Sequence, residues 1–152
     1  MGTVLLIRHG RTQANADGVL AGRTPGVVLD SVGKESANQL AQRLLPVKIS
    51  HVVVSPLERT VETAQILFAD RIATTLEDRI LECDYGDWQG ESLSVLATNE
   101  LWPIVQQRPD EMIFPAGESM NDMAARASAA IRDWDARLAL EHGEGVIWAA
   151  VI

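Results

Sequence analysis

One cysteine in 152 residues, Cys83, is too few for an internal disulfide or a thiolate zinc site. It suits a reducing compartment, so a cytoplasmic location is expected. Basic side chains are also scarce, with 13 Lys plus Arg against 21 Asp plus Glu and a formal charge of −8. A surface of that sign repels polyanions, which argues against nucleic acid and anionic lipid as partners and requires any anion site to be a local basic pocket. Long apolar runs are missing too. The run near the N-terminus, Val4 to Ile7, falls far short of the roughly 18 residues that cross a bilayer, so no membrane partner is expected. There is no internal repeat, low-complexity tract or linker. The length and the 47% hydrophobic content suit a single domain over 1–152 that buries roughly two thirds of its unfolded surface.

Short apolar runs alternate with helical stretches, and that alternation predicts an α/β fold: a mostly parallel sheet covered by helices on both faces, three layers in all. Thr3 to Ile7 reads as the first strand, and the long polar loop after it, with Gly10, Gly18, Gly22 and Gly26, is of the kind that carries function. A helix follows from Ser31, with Ala37, Leu40, Ala41, Leu44 and Leu45 at a helical period and Pro46 closing it. Val52 to Val54 is a buried strand. Ser55-Pro56-Leu57-Glu58 has the form of a capping box, with Ser55 as N-cap and Pro56 at the first helical position. Ile72 to Leu76 reads as a weaker strand, and an acidic, aromatic loop runs from Glu82 to Gly90. Ser119 caps a long helix whose stripe of Met120, Met123, Ala124, Ala127, Ile131, Trp134 and Leu138 reads as core, with Arg126, Arg132 and Arg137 solvated or ion-paired. Val146 to Ile152 is a fourth strand, on which the sequence stops. A terminal carboxylate beside a core is costly when unpaired, so these residues are expected to belong to a longer chain, or the last strand to fray.

Three segments carry chemistry. Arg8-His9-Gly10-Arg11-Thr12 directly follows the first strand, at the carboxyl edge where open parallel sheets bind ligands. Gly10 lets the backbone turn and approach a ligand, and the hydroxyl of Thr12 with the loop N–H groups suits a phosphate. Arg59 falls in the first turn of a helix, where the dipole disfavours a cation. If the strand before it neighbours the first strand, Arg59 reaches the same crevice as Arg8; the alternative is a surface pair with Glu58 or Glu62. In the third segment, a carboxyl among aromatic neighbours is suited to hold the proton that a general acid gives to an alkoxide leaving group, and Glu82 or Asp84 fills that role. The alternative is a packed loop with Tyr85 and Trp88 against the sheet.

Together these segments resemble the histidine phosphatase, or phosphoglycerate mutase-like, superfamily over nearly the whole chain. The similarity rests on Arg8 to Thr12 with Asn15, Leu29-Asp30-Ser31-Val32-Gly33, Ser55 to Thr60 with Thr63-Ala64, Glu82 to Gly90, and Pro115-Ala116-Gly117-Glu118-Ser119. The resemblance implies that His9 is a nucleophile forming a phosphohistidine, that Arg8 and Arg59 clamp the phosphoryl group, and that Glu82 donates the proton. It further implies that Thr12, Asn15, Ala21 and Gly22 contact substrate, while Arg11 has no assigned role. Phosphoryl transfer is mostly positioning and charge stabilisation, which arginines supply, so neither a cofactor nor a metal is expected. The expected partner is a small phosphorylated substrate or inorganic phosphate, and pairing into homodimers through sheet edges is in keeping with the family.

The family places a second histidine directly after the strand matching Val146 to Val151, where this sequence has only Ile152; His51 and His142 stand elsewhere. The domain is therefore expected to be C-terminally incomplete. Three activities follow from the resemblance: a metal-independent phosphomonoesterase, a phosphoglycerate mutase-type phosphomutase, and a phospho-ligand-binding protein impaired in catalysis. The segment Leu93 to Pro115 is short, with Arg108 its only basic residue. That favours hydrolysis over mutase chemistry, which needs a basic grip on a second phosphate. The residues between Trp102 and Glu118 are expected to form a lid whose shape decides the substrate, and Trp102, Ile113 and Phe114 suggest a partly apolar leaving group.

Overall fold

A computed structural model describes residues 2–152. Its elements in chain order are β1 (Thr3–Ile7), α1 (Gln13–Ala16), α2 (Ser31–Leu44), β2 (Val52–Val54), α3 (Glu58–Phe68), β3 (Thr74–Leu76), α4 (Leu93–Leu96), α5 (Trp102–Gln107), α6 (Met120–His142) and β4 (Ile147–Val151). The four strands are parallel, in the order β1-β4-β2-β3. Strand β4 therefore lies inside the sheet, and the expectation that it frays is overturned. Among the described residues, no helix is long and apolar enough to cross a membrane.

Alternation along the strands sends side chains to two covered faces, so the sheet is the middle of three layers. On one face Leu5, Ile7, Val52, Val54, Ala149 and Val151 pack against α2 and α3 through Ala41, Ala64, Leu67 and Phe68. On the other, Val53, Trp148 and Ala150 pack against α6 through Ala130, Trp134 and Leu138. All three residues of β2 are fully buried, and each valine gains about 1.5–3 kcal/mol relative to exposure. A third cluster stands apart from the sheet, where Cys83, Trp88, Leu96, Met112 and Phe114 join the acidic loop to α4 and α5.

Local chemistry sets most helix ends. Asp30 caps α2 by accepting from the Gly33 N–H at 2.7 Å, and Ser119 caps α6 by accepting from the Asp122 N–H at 3.0 Å. Gly33 has no room for a side chain, because a Cβ there would strike the backbone of Arg11; this brings α2 against the loop after β1. One expected start is corrected. Ser55 does not cap α3, which begins at Glu58 after Leu57. Ser55 instead continues the sheet, its N–H donating to the Val151 carbonyl at 3.0 Å, while Thr60 Oγ1 donates to the Ser55 carbonyl.

Register aligns the strand ends. Ile7 pairs with Val151, and Val151 with Val54, so the residues that follow β1, β4 and β2 stand side by side at one carboxyl edge.

Candidate active site

At that edge a cavity of about 710 Å³ opens between the sheet, α3, α6 and the acidic loop. Arg8, His9, Ser55, Arg59, Glu82 and Tyr85 line one part of it, and Leu57, Ile80, Leu81, Met123, Ala127 and Ile131 line much of the rest. Three segments far apart in sequence thus meet in one crevice, which the resemblance requires and a surface pairing of Arg59 would not produce.

His9 is fixed from both sides. Its backbone N–H donates to the Ile152 carbonyl at 2.7 Å, and its Nδ1 lies 2.7 Å from the Gly10 carbonyl. That carbonyl can only accept, so Nδ1 carries the hydrogen and Nε2 keeps its lone pair. Burial, reinforced by the charges of Arg59 and Arg8, holds the imidazole below its ordinary pKa against the opposing pull of the Gly10 bond and Glu82. The ring is accordingly neutral, and nucleophilic, at pH 7. Gly10 is held in turn, its N–H donating to Thr63 Oγ1 at 3.0 Å while that hydroxyl donates to the Arg59 carbonyl at 2.6 Å.

Arg59 is 2% exposed. It pairs with neither Glu58 nor Glu62, which instead accept from the backbone N–H groups of Gly26 and Leu29. Nη2 donates to the Gly22 carbonyl at 2.8 Å, and Nε and Nη1 have no partner. Burial disfavours its charge, and Glu82 is the chief opposing influence. A buried guanidinium that lines a cavity and has unpartnered donors is suited to an anion. Arg8, by contrast, is exposed at the rim.

The acidic loop is anchored by residues that sequence reasoning underrated. Glu82 Oε1 accepts from the Cys83 N–H at 2.8 Å and the Tyr85 hydroxyl at 3.2 Å, leaving the other carboxyl oxygen for a ligand. The Glu82 carbonyl accepts from Arg23 Nε at 2.8 Å and Arg126 Nη2 at 3.1 Å. Both arginines are tied to Glu118, which also accepts from the Asp84 N–H. The ion-paired reading of Arg126 holds; the sequence marked Glu118 only as part of the turn before α6, and nothing local pointed to Arg23. Burial pushes the Cys83 thiol up to about 12 and raises the Tyr85 phenol, so neither ionises at neutral pH.

Other sequence-predicted residues lie elsewhere. Thr12 is buried and forms a reciprocal cap with Asn15: its N–H donates to Asn15 Oδ1 and its hydroxyl accepts from the Asn15 N–H. Neither Thr12, Asn15, Ala21 nor Gly22 lines the cavity, although Gly22 supports Arg59 through its carbonyl. The core stripe of α6 is corrected only in part: Ala124 is exposed and Ala127 lines the cavity, whereas Met120, Met123 and Ile131 pack against core clusters, Met123 and Ile131 also lining the cavity, and Trp134 and Leu138 are core. The lid expectation also fails for its side chains. Trp102 stacks on Trp88, Phe114 packs against Tyr85 and Trp88, and Ile113 is exposed. Arg108 pairs with Glu111. His51 stacks on Trp134 and, like His142, stands outside the cavity.

Comparison with known proteins agrees with this geometry. The sequence profile described as histidine phosphatase superfamily (branch 1) matches residues 4–149. A protein named "Probable phosphoglycerate mutase GpmB" from Proteus mirabilis is 34% identical over 132 residues, which are 84% of this chain and 60% of that protein. The chain thus spans about 60% of the length of the curated relatives it matches. Among solved structures, Bacillus stearothermophilus YhfR superposes with a TM-score of 0.86 at 27% identity, covering 99% of this chain and 73% of that one. The alpha-ribazole phosphatase from Shigella flexneri superposes with a TM-score of 0.79 at 29% identity, covering 97% and 72%.

Proposed function

The chain belongs to the histidine phosphatase superfamily, branch 1, and on that premise we propose that it acts as a metal-independent phosphomonoesterase on a small phosphorylated metabolite. The observation that carries this reading is the buried Arg59, with two unpartnered donors, in the same cavity as the neutral imidazole of His9.

In the proposed reaction, His9 Nε2 attacks phosphorus while the bond from phosphorus to the ester oxygen breaks. Glu82 gives its proton to the departing alkoxide, which leaves as an alcohol. Arg8 and Arg59 offset the negative charge on the transferred group. Water then attacks the phosphohistidine, Glu82 takes the water's proton, and the P–N bond breaks to release inorganic phosphate and neutral His9. Thr12, Asn15 and Gly22 support this arrangement from behind, through the loop and through Arg59.

Mutase chemistry is the second reading, favoured by the name carried by the similar Proteus protein. Against it stands Arg108, the only basic residue of the segment from Leu93 to Pro115, which is engaged with Glu111. The deciding assay follows phosphate release from p-nitrophenyl phosphate in EDTA. Hydrolysis predicts release that His9→Ala abolishes. Interconversion of 3- and 2-phosphoglycerate stimulated by a bisphosphoglycerate, without net release, would establish the mutase instead. Saturable phosphate binding with neither activity would leave a binding protein.

A further inference from the structure

Among the described residues, three side-chain atoms are buried without a hydrogen-bond partner: Oγ of Ser55, and Nε and Nη1 of Arg59. Ser55 is 1% exposed, and both residues line the cavity that holds His9. We propose that Ser55 is a direct ligand of the bound phosphoryl group, its hydroxyl donating to an oxygen of the same anion that Arg59 grips. This assignment rests on reading the crevice as a phosphoryl site.

A buried hydroxyl without a partner costs free energy and is rare in folded proteins. Here it has no structural duty to explain it. The helix it was expected to cap starts three residues later, and its own N–H and carbonyl are engaged with Val151 and Thr60. Its place is also that of a ligand, since Val54 is in register with Val151 and Val151 with Ile7, which sets Ser55 at the same edge as His9 with the end of β4 between them. One tetrahedral anion has enough oxygens to satisfy all three orphan atoms together. A neutral donor suits this position better than a third cation. It adds a bond to the anion without repelling Arg8 and Arg59, and without disfavouring further the charge of an imidazole that burial already keeps neutral.

The test is orthovanadate binding to the 152-residue chain by isothermal titration calorimetry, with thermal unfolding of each variant in the absence of anion. Arg59→Gln is expected to weaken binding by a hundredfold or more, and Ser55→Ala by about tenfold, the usual loss for one hydrogen bond to a charged acceptor. Without anion, Ser55→Ala should melt at or above the parent's midpoint, because it removes an unpaired buried hydroxyl. Ser55→Cys, closest to serine in size but a poor donor, should show the same loss of affinity. If Ser55→Ala binds vanadate within twofold of the parent while Arg59→Gln does not, the serine assignment is wrong and the phosphoryl site stands. A Ser55→Ala midpoint well below the parent's would make the hydroxyl structural and defeat the assignment too. A parent that binds no vanadate, or an Arg59→Gln variant that binds it normally, overturns both the site and the serine.

Discussion

Two arginines on helices from opposite faces of the sheet, Arg59 of α3 and Arg126 of α6, are treated in opposite ways. Arg126 donates five hydrogen bonds, two to Glu118 and one each to the carbonyls of Arg79, Leu81 and Glu82. Arg59, more deeply buried, donates one through its side chain. A saturated guanidinium holds the protein together, and its worth lies in the partners it already has. An unsaturated one is held in deficit by the surrounding fold, which is tolerable when a ligand completes it. The two side chains look alike as letters; only their bonds tell them apart.

The contrast can be broken from either side. Arg59→Ala should reduce phosphate release about 10³-fold yet leave a cooperatively melting protein, since only one side-chain bond is lost; retention of most activity would remove Arg59 from the site. Glu118→Ala should do the reverse first, lowering unfolding free energy in urea by about 3 kcal/mol, because Arg23 and Arg126 lose their common carboxylate. An unchanged urea midpoint would mean that the saturated arginine contributes nothing to stability.

Acidity sharpens the same comparison. His9 has a lowered pKa, so it stays unprotonated at neutral pH and the acid limb of kcat/KM should fall below 6.5, with roughly a tenfold loss per pH unit beyond it. An acid limb above 6.5 would contradict the burial of the ring. Glu77 is held down to about 2, chiefly by its bonds from Arg79, with desolvation opposing and the indole N–H of Trp134 assisting. Its carboxylate therefore stabilises the fold fully above about pH 4.5, and that contribution declines as pH falls towards 2. Glu77→Gln should flatten this part of the stability profile, which a urea midpoint series from pH 5 to 2 would register. The smallest effect belongs to the exposed pair of Arg137 and Glu141; Arg137→Ala should move the unfolding free energy by less than about 1 kcal/mol.

Local patterns made the sheet, the cap at Ser119 and the crevice at the end of β1 readable, because each depends on residues a few positions apart. Arg59 was legible through its awkward place near a helix N-terminus. Ser55 was misread for an instructive reason: Ser-Pro-Leu-Glu has every local mark of a capping box, but bonding of its N–H to β4, nearly a hundred residues later, keeps it extended. The grip of Arg23 and Glu118 on the acidic loop was invisible for the same cause, since its bonds span dozens of positions. The stripe of α6 showed the right period, but period alone does not say where the sheet beneath a helix gives way to a cavity.

The strand order has a temporal meaning. Strands β1 and β2 never touch; β4, the latest of the four in the sequence, is wedged between them. As the polypeptide emerges from the ribosome, His9 and Arg59 are both made early and the loop after β1 can already bond to α3 through Gly10 and Thr63, but β1 and β2 share no sheet until the residues near 150 slot in. Ligand capture should therefore rise sharply at that stage of synthesis, so that a nascent chain binds anion poorly until β4 is in place.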